Sequence, residues 1–298
     1  MATNPTIGSV QSSTNSNGNG KIRSVRQMIR SGVELLAHDI EAGHPEVLAE
    51  CLKAMARFFW LSLGNILLIS TQRPQSTQVA GFRAWNELGR RVRQGEKGIM
   101  IFAPILSQPK PVASQPDADQ NASAERVQPE TQLLGFRPVR VWDIDQTEGE
   151  PADISSTLNT DLADVLTKLM ELATSAEIEI QYSDKIAPAK STSYRGMIRL
   201  LSDMQAEETV LALVRELAIQ LLYQTQRRSF VTRDVIRTEA QAVVFVVCFA
   251  LGLMSEPDFI ELYQGNLSLF SESLEVIKRT ASIILGAISP RDEQQGGN

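Results

Sequence analysis

Residues 72–104 combine cationic and aromatic side chains in a proportion that suits contact with an unpaired nucleic-acid strand. Cationic groups neutralise phosphates, and an exposed ring stacks on an unpaired base, which contributes roughly 1–3 kcal/mol per base whatever the sequence. Six basic residues against two acidic ones give this block a charge of +4, although the whole chain carries −6. The cationic candidates are Arg73, Arg83, Arg90, Arg91, Arg93 and Lys97, and the candidate rings are Phe82 and Trp85, with Phe102 following.

The same residues have structural explanations that the sequence leaves open. Phe82 and Trp85 are three apart on a short predicted helix, so that one ring could belong to the core. Phe102 lies in an apolar predicted strand and has the same alternative. The basic residues could form an ordinary solvated surface, since charged residues are mostly exposed in any protein.

The overall composition limits the class of protein. A chain of 298 residues, of which 43% are hydrophobic, is long enough for two domains with substantial cores. Its pI of about 5.2 does not exclude a nucleic-acid partner, because the local field at the contact face decides binding. Cys51 and Cys248 lie far apart in apolar segments, which favours buried reduced thiols over a disulfide or a metal site.

No segment has the character of a leader or a membrane span. Residues 1–20 are rich in Asn, Ser, Thr and Gly rather than apolar. The longest apolar run, Ala242–Met254, has 13 residues and is better explained as a buried helix, because a spanning helix requires about 20. We therefore expect a soluble, cytoplasmic protein without a membrane partner.

The elements that must position the basic block follow from hydrophobic periodicity. Apolar residues at helical spacing predict helices over about 33–40, 47–61 and 62–71, and a short helix over Phe82–Val92. A turn at Gly95–Gly98 precedes a strand that Pro104 ends, and Phe136–Trp142 is its expected partner. Residues 107–131, rich in Pro, Gln, Ala, Ser and Asp, are predicted to form a flexible excursion between these strands.

The expected fold class is α+β: an N-terminal helical and β-hairpin domain, followed by a mainly helical domain with a small sheet. The expected segments are a disordered tail (1–24), a first domain (25–150), a second domain (151–288) joined by a linker near 148–156, and a C-terminal tail (289–298). In the second domain, helices are predicted at 158–173, 205–226, 233–253, 256–263 and 267–288, and strands at 177–182 and 193–200.

The first domain carries an ordered series of short motifs. They are Asn65-Ile-Leu-Leu-Ile, Gln72-Arg-Pro, Val79-Ala-Gly-Phe-Arg-Ala-Trp85, Leu88-Gly-Arg90, Gly95-Glu-Lys-Gly-Ile99, Ala103-Pro-Ile105 and Val141-Trp-Asp-Ile-Asp-Gln-Thr147. Over about residues 25–150 this series resembles the N-terminal domain of ArdC-type antirestriction proteins. The resemblance implies single-stranded DNA binding and points to Gln72, Gly81, Phe82, Trp85, Gly89, Arg90, Gly95, Lys97 and Gly98, while side-chain chemistry favours Arg83, Arg90, Arg91, Arg93 and Lys97 as phosphate contacts.

The helix at Thr209–Tyr223 resembles that of the metallopeptidase-like second domain of ArdC-related proteins. That helix carries His-Glu-x-x-His, in which two imidazoles one turn apart hold zinc and the Glu activates water. The corresponding residues here are Arg215-Glu-Leu-Ala-Ile219, and His44 is the last histidine of the chain. Glu216 keeps the general-base position, whereas an arginine and an isoleucine cannot coordinate zinc.

The resemblance therefore implies a peptidase-like scaffold without its chemistry. Glu216 is a vestigial general base, and we expect no catalytic residue, no metal site and no cofactor. Glu239 remains on the next helix, although Arg237 and Gln241 stand where further carboxylates are expected. Our hypothesis is that Arg215 pairs with Glu216, Glu239 or another nearby acid and replaces the metal cross-link.

Three functions remain open at this point. The leading one is non-catalytic binding of single-stranded DNA by the first domain. The alternative is a pseudo-peptidase groove in the second domain that holds a protein partner, and the least favoured is an active zinc metallopeptidase. A second basic cluster could add a phosphate contact or be a solvated helix end; it comprises Arg227, Arg228, Arg233 and Arg237.

Overall fold

The computed structural model describes residues 18–107, 133–150, 161–186, 189–224, 231–254 and 261–289. Within these ranges the chain forms helices packed around one continuous core, with three small sheets at its surface. The expected α+β class is confirmed.

Three helices begin the described chain: α1 (Gly18–Glu41), α2 (Glu46–Arg57) and α3 (Leu63–Gln72). Gly43, at φ +91°, and Pro45 separate α1 from α2, because a glycine readily takes this conformation and a proline fits the start of a helix. The Ser62 hydroxyl accepts a hydrogen bond from the Asn65 amide and caps α3. The helix α1 begins at Gly18 and so includes residues 18–24, which the sequence assigned to the N-terminal tail.

The predicted hairpin is confirmed as the centre of the first sheet. Strands β1 (Val79–Gly81), β3 (Ile99–Leu106) and β4 (Leu133–Asp143) pair antiparallel in the order β1-β4-β3. Ile99, Ile101 and Val141 are buried toward the helices, whereas the alternate residues Met100 and Arg140 are exposed. We call the surface that carries Met100 and Arg140 the outer face of this sheet. The predicted excursion between the strands lies outside the described residues, apart from Ser107.

Two amide side chains of α3 cover the free edge of β3. The Asn65 amide donates to the Phe102 carbonyl and accepts from the Phe102 N–H, both at 2.9 Å. Seven residues along the helix, the Gln72 amide makes the same pair of bonds with Met100, also at 2.9 Å. Two side chains thus replace a neighbouring strand, because each offers one donor and one acceptor to the backbone.

A short helix and a two-stranded sheet follow β1. The helix α4 (Phe82–Glu87) leads to β2 (Arg90–Val92), which pairs with β5 (Thr147–Gly149) after a 3-10 turn at Ile144–Gln146. The predicted helix Phe82–Val92 is therefore wrong beyond Glu87. Gly89, at φ +73°, ends it, since this left-handed backbone is the usual stop for a helix.

The C-terminal half contains the remaining elements. They are α5 (Leu162–Ser175), β6 (Glu179–Ser183), β7 (Ser191–Tyr194), β8 (Met197–Leu201), α6 (Ala206–Tyr223), α7 (Arg233–Ala250) and α8 (Leu267–Ile288). Strand β8 lies between parallel β6 and antiparallel β7. The single strand predicted at 193–200 is instead a hairpin, because Arg195 and Gly196 take φ values of +46° and +81° and form a two-residue turn.

The two halves share their core. The buried faces of α2 and α7 pack together, and α8 reaches α1 and α3. Across this junction the Ser282 hydroxyl donates to the Phe59 carbonyl at 2.6 Å, and the Tyr263 hydroxyl donates to Glu41 at 2.6 Å. Three predicted segments lie partly outside the described residues: the linker (at 151–156), the helix at 256–263 (at 256–260) and the terminal tails (at 1–17 and 290–298). Residues 261–263 are described and are not helical, so the predicted helix is wrong there.

The apolar run Ala242–Met254 is largely the buried half of α7. No helix in the described ranges combines the length and the hydrophobicity that crossing a membrane requires.

We predict that Asn65→Ala destabilises the protein, since the N–H and carbonyl of Phe102 lose both of their partners. The free energy of unfolding in urea should fall by about 1–3 kcal/mol. The matched control is Asn86→Ala on α4, an exposed asparagine whose replacement should change stability by less than about 0.5 kcal/mol. Equal effects of the two substitutions would contradict the edge-covering role of Asn65.

Candidate nucleic-acid interface

Two aromatic rings lie side by side on the outer face of the first sheet. The ring of Phe82, at the start of α4, is 52% exposed. It meets the half-buried indole of Trp142 on β4, with 6.0 Å between ring centroids and 71° between planes. The indole lies over Gly98, where a Cβ atom would come within 2.9 Å of Trp142 Cε2. We call Phe82, Trp142 and Gly98 the aromatic platform.

Four cationic residues lie next to the platform in the chain or on the strand that follows α4. Arg83 follows Phe82 on α4, Lys97 precedes Gly98, and both are exposed. Arg140 neighbours Trp142 along β4, and its guanidinium donates to the Gly98 carbonyl at 3.3 Å. Arg91 projects from β2 into solvent. Among the described residues, the side chains of Arg83, Arg91 and Lys97 form no hydrogen bond or ion pair, so these three charges are available to an anionic ligand.

Arg90 and Arg93 were both predicted as phosphate contacts, but their side chains instead form hydrogen bonds within the protein. The Arg90 guanidinium donates to the Thr147 hydroxyl at 2.8 Å and to the carbonyls of Thr147, Gly149 and Glu150. Arg93 donates to Glu96 at 2.9 Å and to the carbonyls of Thr147 and Asp145. Their N–H groups hold β2 against β5, which uses the donors that a phosphate would need.

Trp85 is the second predicted contact that the structure reassigns. Its side chain is 1% exposed, and its indole N–H donates to the Trp142 carbonyl at 2.9 Å. A ring buried on both faces cannot stack on a base, so the core alternative holds for Trp85. Phe102 is half-buried on β3.

Arg73 lies at the end of α3, half-buried and close enough to Glu96 to influence its ionisation. Hydrogen bonds from Gln146 and Arg93, with the positive charges of Arg93 and Arg73, hold the pKa of the Glu96 carboxyl below its ordinary value. The charge of Arg73 is therefore partly committed to Glu96, and we do not place it with the available cations.

The residues that follow Trp142, as far as Thr147, hold the platform in place. The Asp143 carboxylate is fully buried and accepts three backbone N–H groups, from Thr77 at 2.9 Å, Gln78 at 3.2 Å and Asp145 at 3.0 Å. It thereby ties the start of β1 to the end of β4. Since Trp142 is the preceding residue, its position depends on this carboxylate.

In the C-terminal half, the two retained glutamates have serine partners. Glu216 on α6 is 5% exposed and accepts from the Ser191 hydroxyl at 2.8 Å. Glu239 on α7 is 1% exposed and accepts from the Ser273 hydroxyl at 2.6 Å. The predicted ion pair of Arg215 is wrong, because Arg215 is exposed and pairs with no acid among the described residues.

These residues do not form a donor set that fits zinc. Arg215 and Ile219 occupy the two positions one turn apart, and neither offers a lone pair to a metal. In the described part of the chain, no three His, Cys, Asp or Glu side chains are grouped so that they could hold a metal ion. Glu216 and Glu239 instead link α6 to β7 and α7 to α8.

The cysteines agree with their predicted role as reduced, buried thiols. Cys51 and Cys248 are both unpaired and buried. Burial raises the pKa of each thiol to about 12, so neither is a thiolate near neutral pH.

The second basic cluster is only partly described. Arg233 and Arg237 are exposed on the first turns of α7. Arg227 and Arg228 lie outside the described residues.

Comparison with known proteins matches a family model to part of the first half. Residues 28–141 match the family model for the N-terminal domain of the anti-restriction factor ArdC. The chain carries an ArdC-type N-terminal domain. The resemblance predicted from the motifs of residues 25–150 is thereby confirmed at the level of the family.

The individual proteins that resemble this chain have low sequence identity to it. An uncharacterized protein of Bacillus anthracis is 28% identical over 120 residues, which are 37% of this chain and 20% of the relative, so the chain spans a fifth of that relative's length. The metal-free crystal structure of antirestriction ArdC from the R388 plasmid is 16% identical, with a TM-score of 0.47 over 89% of this chain and 99% of that one. Its Mn(II)-bound structure is also 16% identical, with a TM-score of 0.40 over 77% of this chain and 89% of that one.

Two residues of the candidate interface in this ArdC-type domain were not predicted. Arg140 was assigned only to a strand, and Trp142 to a strand and to the motif Val141–Thr147, without a binding role. Their signal was present in the alternation of β4, where Val139 and Val141 face the core and the residues between and after them must face outward.

We predict that Gly98→Ala displaces the Trp142 indole and destabilises the ArdC-type domain by about 1–3 kcal/mol, because the new methyl group overlaps the ring. Urea unfolding with tryptophan fluorescence measures both effects. Gly81→Ala is the matched control, since a Cβ there meets no atom within 4 Å and the backbone φ is −70°. A Gly98→Ala protein as stable as Gly81→Ala would contradict the close packing of Trp142 on Gly98.

Proposed function

We propose that this chain binds single-stranded DNA through the aromatic platform and the cations around it. The observation that carries the proposal is the exposed ring of Phe82, set edge-on to Trp142 and next to the unpaired charge of Arg83. A ring face supplies stacking, and the cations supply phosphate neutralisation. Lys97 and Arg140 lie at Gly98, next to the Trp142 ring, and add two cations beside the platform.

The platform favours a single strand over a duplex. In a duplex, each base face is covered by the next base pair, and only base edges are accessible in the grooves. Stacking on Phe82 therefore requires an unpaired base. Among the described residues, the helix at this face is α4, which has six residues and lies against the sheet, so it is too short to serve as a recognition helix.

We propose DNA as the nucleic acid because the motifs of residues 72–147 resemble those of ArdC-type domains. That resemblance implies binding to single-stranded DNA. Antirestriction is the proposed biological setting on the same ground. A protein partner of the C-terminal half stays a prediction.

We predict that Phe82→Ala weakens binding to a labelled oligothymidylate by roughly 5- to 150-fold, which corresponds to the 1–3 kcal/mol expected for one stacked base. Fluorescence anisotropy at about 50 and 200 mM salt measures the affinity, and binding should weaken with salt in both proteins. The matched control is Leu88→Ala, which removes an apolar side chain, 39% exposed, at the other end of α4.

Two outcomes would refute the proposed function. One is equal affinity of the wild-type protein for duplex and single-stranded DNA of the same length. The other is a loss of affinity in Leu88→Ala as large as that in Phe82→Ala.

The proposal includes a C-terminal half without peptidase chemistry. It is supported by Arg215 and Ile219 at the positions of the zinc ligands and by the commitment of Glu216 to the Ser191 hydroxyl. A general base must reach a reacting water, whereas this carboxylate is almost fully buried.

We predict that wild-type protein purified from zinc-supplemented medium and dialysed holds far less than one zinc ion per chain by elemental analysis. The double variant Arg215→His and Ile219→His is the matched control, because it restores two imidazoles one turn apart beside Glu216 and should retain more zinc. Stoichiometric zinc in the wild type, together with peptide hydrolysis that Glu216→Gln abolishes, would contradict the non-catalytic assignment.

A further inference from the structure

Gln146 is a buried glutamine at the centre of the segment that supports the platform. It ends the 3-10 turn after β4, and its side chain is 2% exposed. A buried amide is costly unless its donors and acceptor are satisfied. All of them are: Oε1 accepts from the Asp143 N–H at 3.0 Å, and Nε2 donates to the Lys97 carbonyl and to Glu96 Oε2, both at 2.9 Å.

These bonds admit only one orientation of the amide. Reversing it would place two hydrogen donors against each other at Asp143 and two acceptors against each other at both Lys97 and Glu96. The Gln146 carbonyl also accepts from the Arg93 N–H at 2.9 Å. One residue thus fixes both ends of the loop Arg93–Lys97 to the end of β4.

The loop that Gln146 holds presents Lys97 next to the platform. Lys97 directly precedes Gly98, the residue on which the Trp142 indole lies. The Lys97 side chain is exposed and has no partner among the described residues, so its own contacts do not fix its position. Its backbone carbonyl, in contrast, is held by the Gln146 amide.

We propose that Gln146 is a positioning residue for nucleic-acid binding: it fixes the backbone of Lys97 so that this cation meets a phosphate beside the base that stacks on Phe82. The inference rests on the proposed function. It assigns a role to the motif Trp142–Thr147, in which Trp142 provides the ring, Asp143 anchors the strand and Gln146 places the cation.

The test is a pair of double-mutant cycles on the full chain, measured as the salt dependence of binding to an oligothymidylate. Gln146→Ala and Lys97→Ala should each reduce the slope of log affinity against log salt by about 0.7, the value for one phosphate contact on a single strand. The double variant should show the same slope as either single variant, because Gln146 acts through Lys97. In the second cycle, combining Gln146→Ala with Arg83→Ala should reduce the slope by about 1.4, since Arg83 lies on α4 and its position does not depend on Gln146.

Two variants keep this test free of general effects on folding. Gln146→Met keeps about the same volume and adds no charge but loses the donor to Lys97, and it should reproduce the slope of Gln146→Ala. Gln94→Ala, in the same loop but at an exposed glutamine, is the matched control and should bind as the wild type does.

Hydrogen exchange of the free protein separates the inference from the proposed function. The segment 93–99 should exchange faster in Gln146→Ala than in Gln94→Ala. Unchanged exchange, or slopes that add for Gln146 and Lys97, would overturn the positioning role. Failure of the wild-type protein to bind any single strand would instead overturn the proposed function.

Discussion

The buried carboxylate of Asp143 is the interaction on which the candidate interface depends. It takes three backbone N–H groups that would otherwise be unpaired, and bonds of this kind to a charged acceptor contribute about 1.5–3 kcal/mol each. Through them, the end of β4, the start of β1 and the following 3-10 turn become one rigid unit. Trp142 lies on the outer face of the sheet, and Gln146 is bonded to the loop that carries Lys97.

The need of backbone groups for hydrogen-bond partners also explains why some arginines of the block form internal hydrogen bonds and others are exposed. The strands β2 and β5 have three residues each and little apolar surface of their own, so backbone carbonyls at their ends need donors from side chains. Arg90 and Arg93 supply these donors. Arg83 and Arg91 form no such bond among the described residues, and their side chains are exposed. Charge composition alone therefore overstates the cationic surface of the block, while Arg140, outside the block, adds to it.

The sequence predicted those features that local periodicity determines. Alternating apolar residues predicted the β3–β4 hairpin, and helical spacing predicted α3 and α8. It could not assign Arg90, because the partners of its side chain at Thr147 and Gly149 are almost sixty residues away in the chain. Trp85 and Phe82 carry similar rings on one short helix, and only the pairing of β1 with β4 decides which ring is covered.

The C-terminal half supports the first sheet through its helices. Its helix α7 provides the surface on which α2 packs, and α8 reaches the backbone at Phe59, just before α3. The helix α3 in turn holds the edge of β3 through Asn65 and Gln72. A change that unfolded α7 or α8 would therefore disturb the sheet that carries the aromatic platform. The buried carboxylates of this half have hydrogen-bond partners, Glu216 in Ser191 and Glu239 in Ser273, which offsets the cost of burying them between the helices.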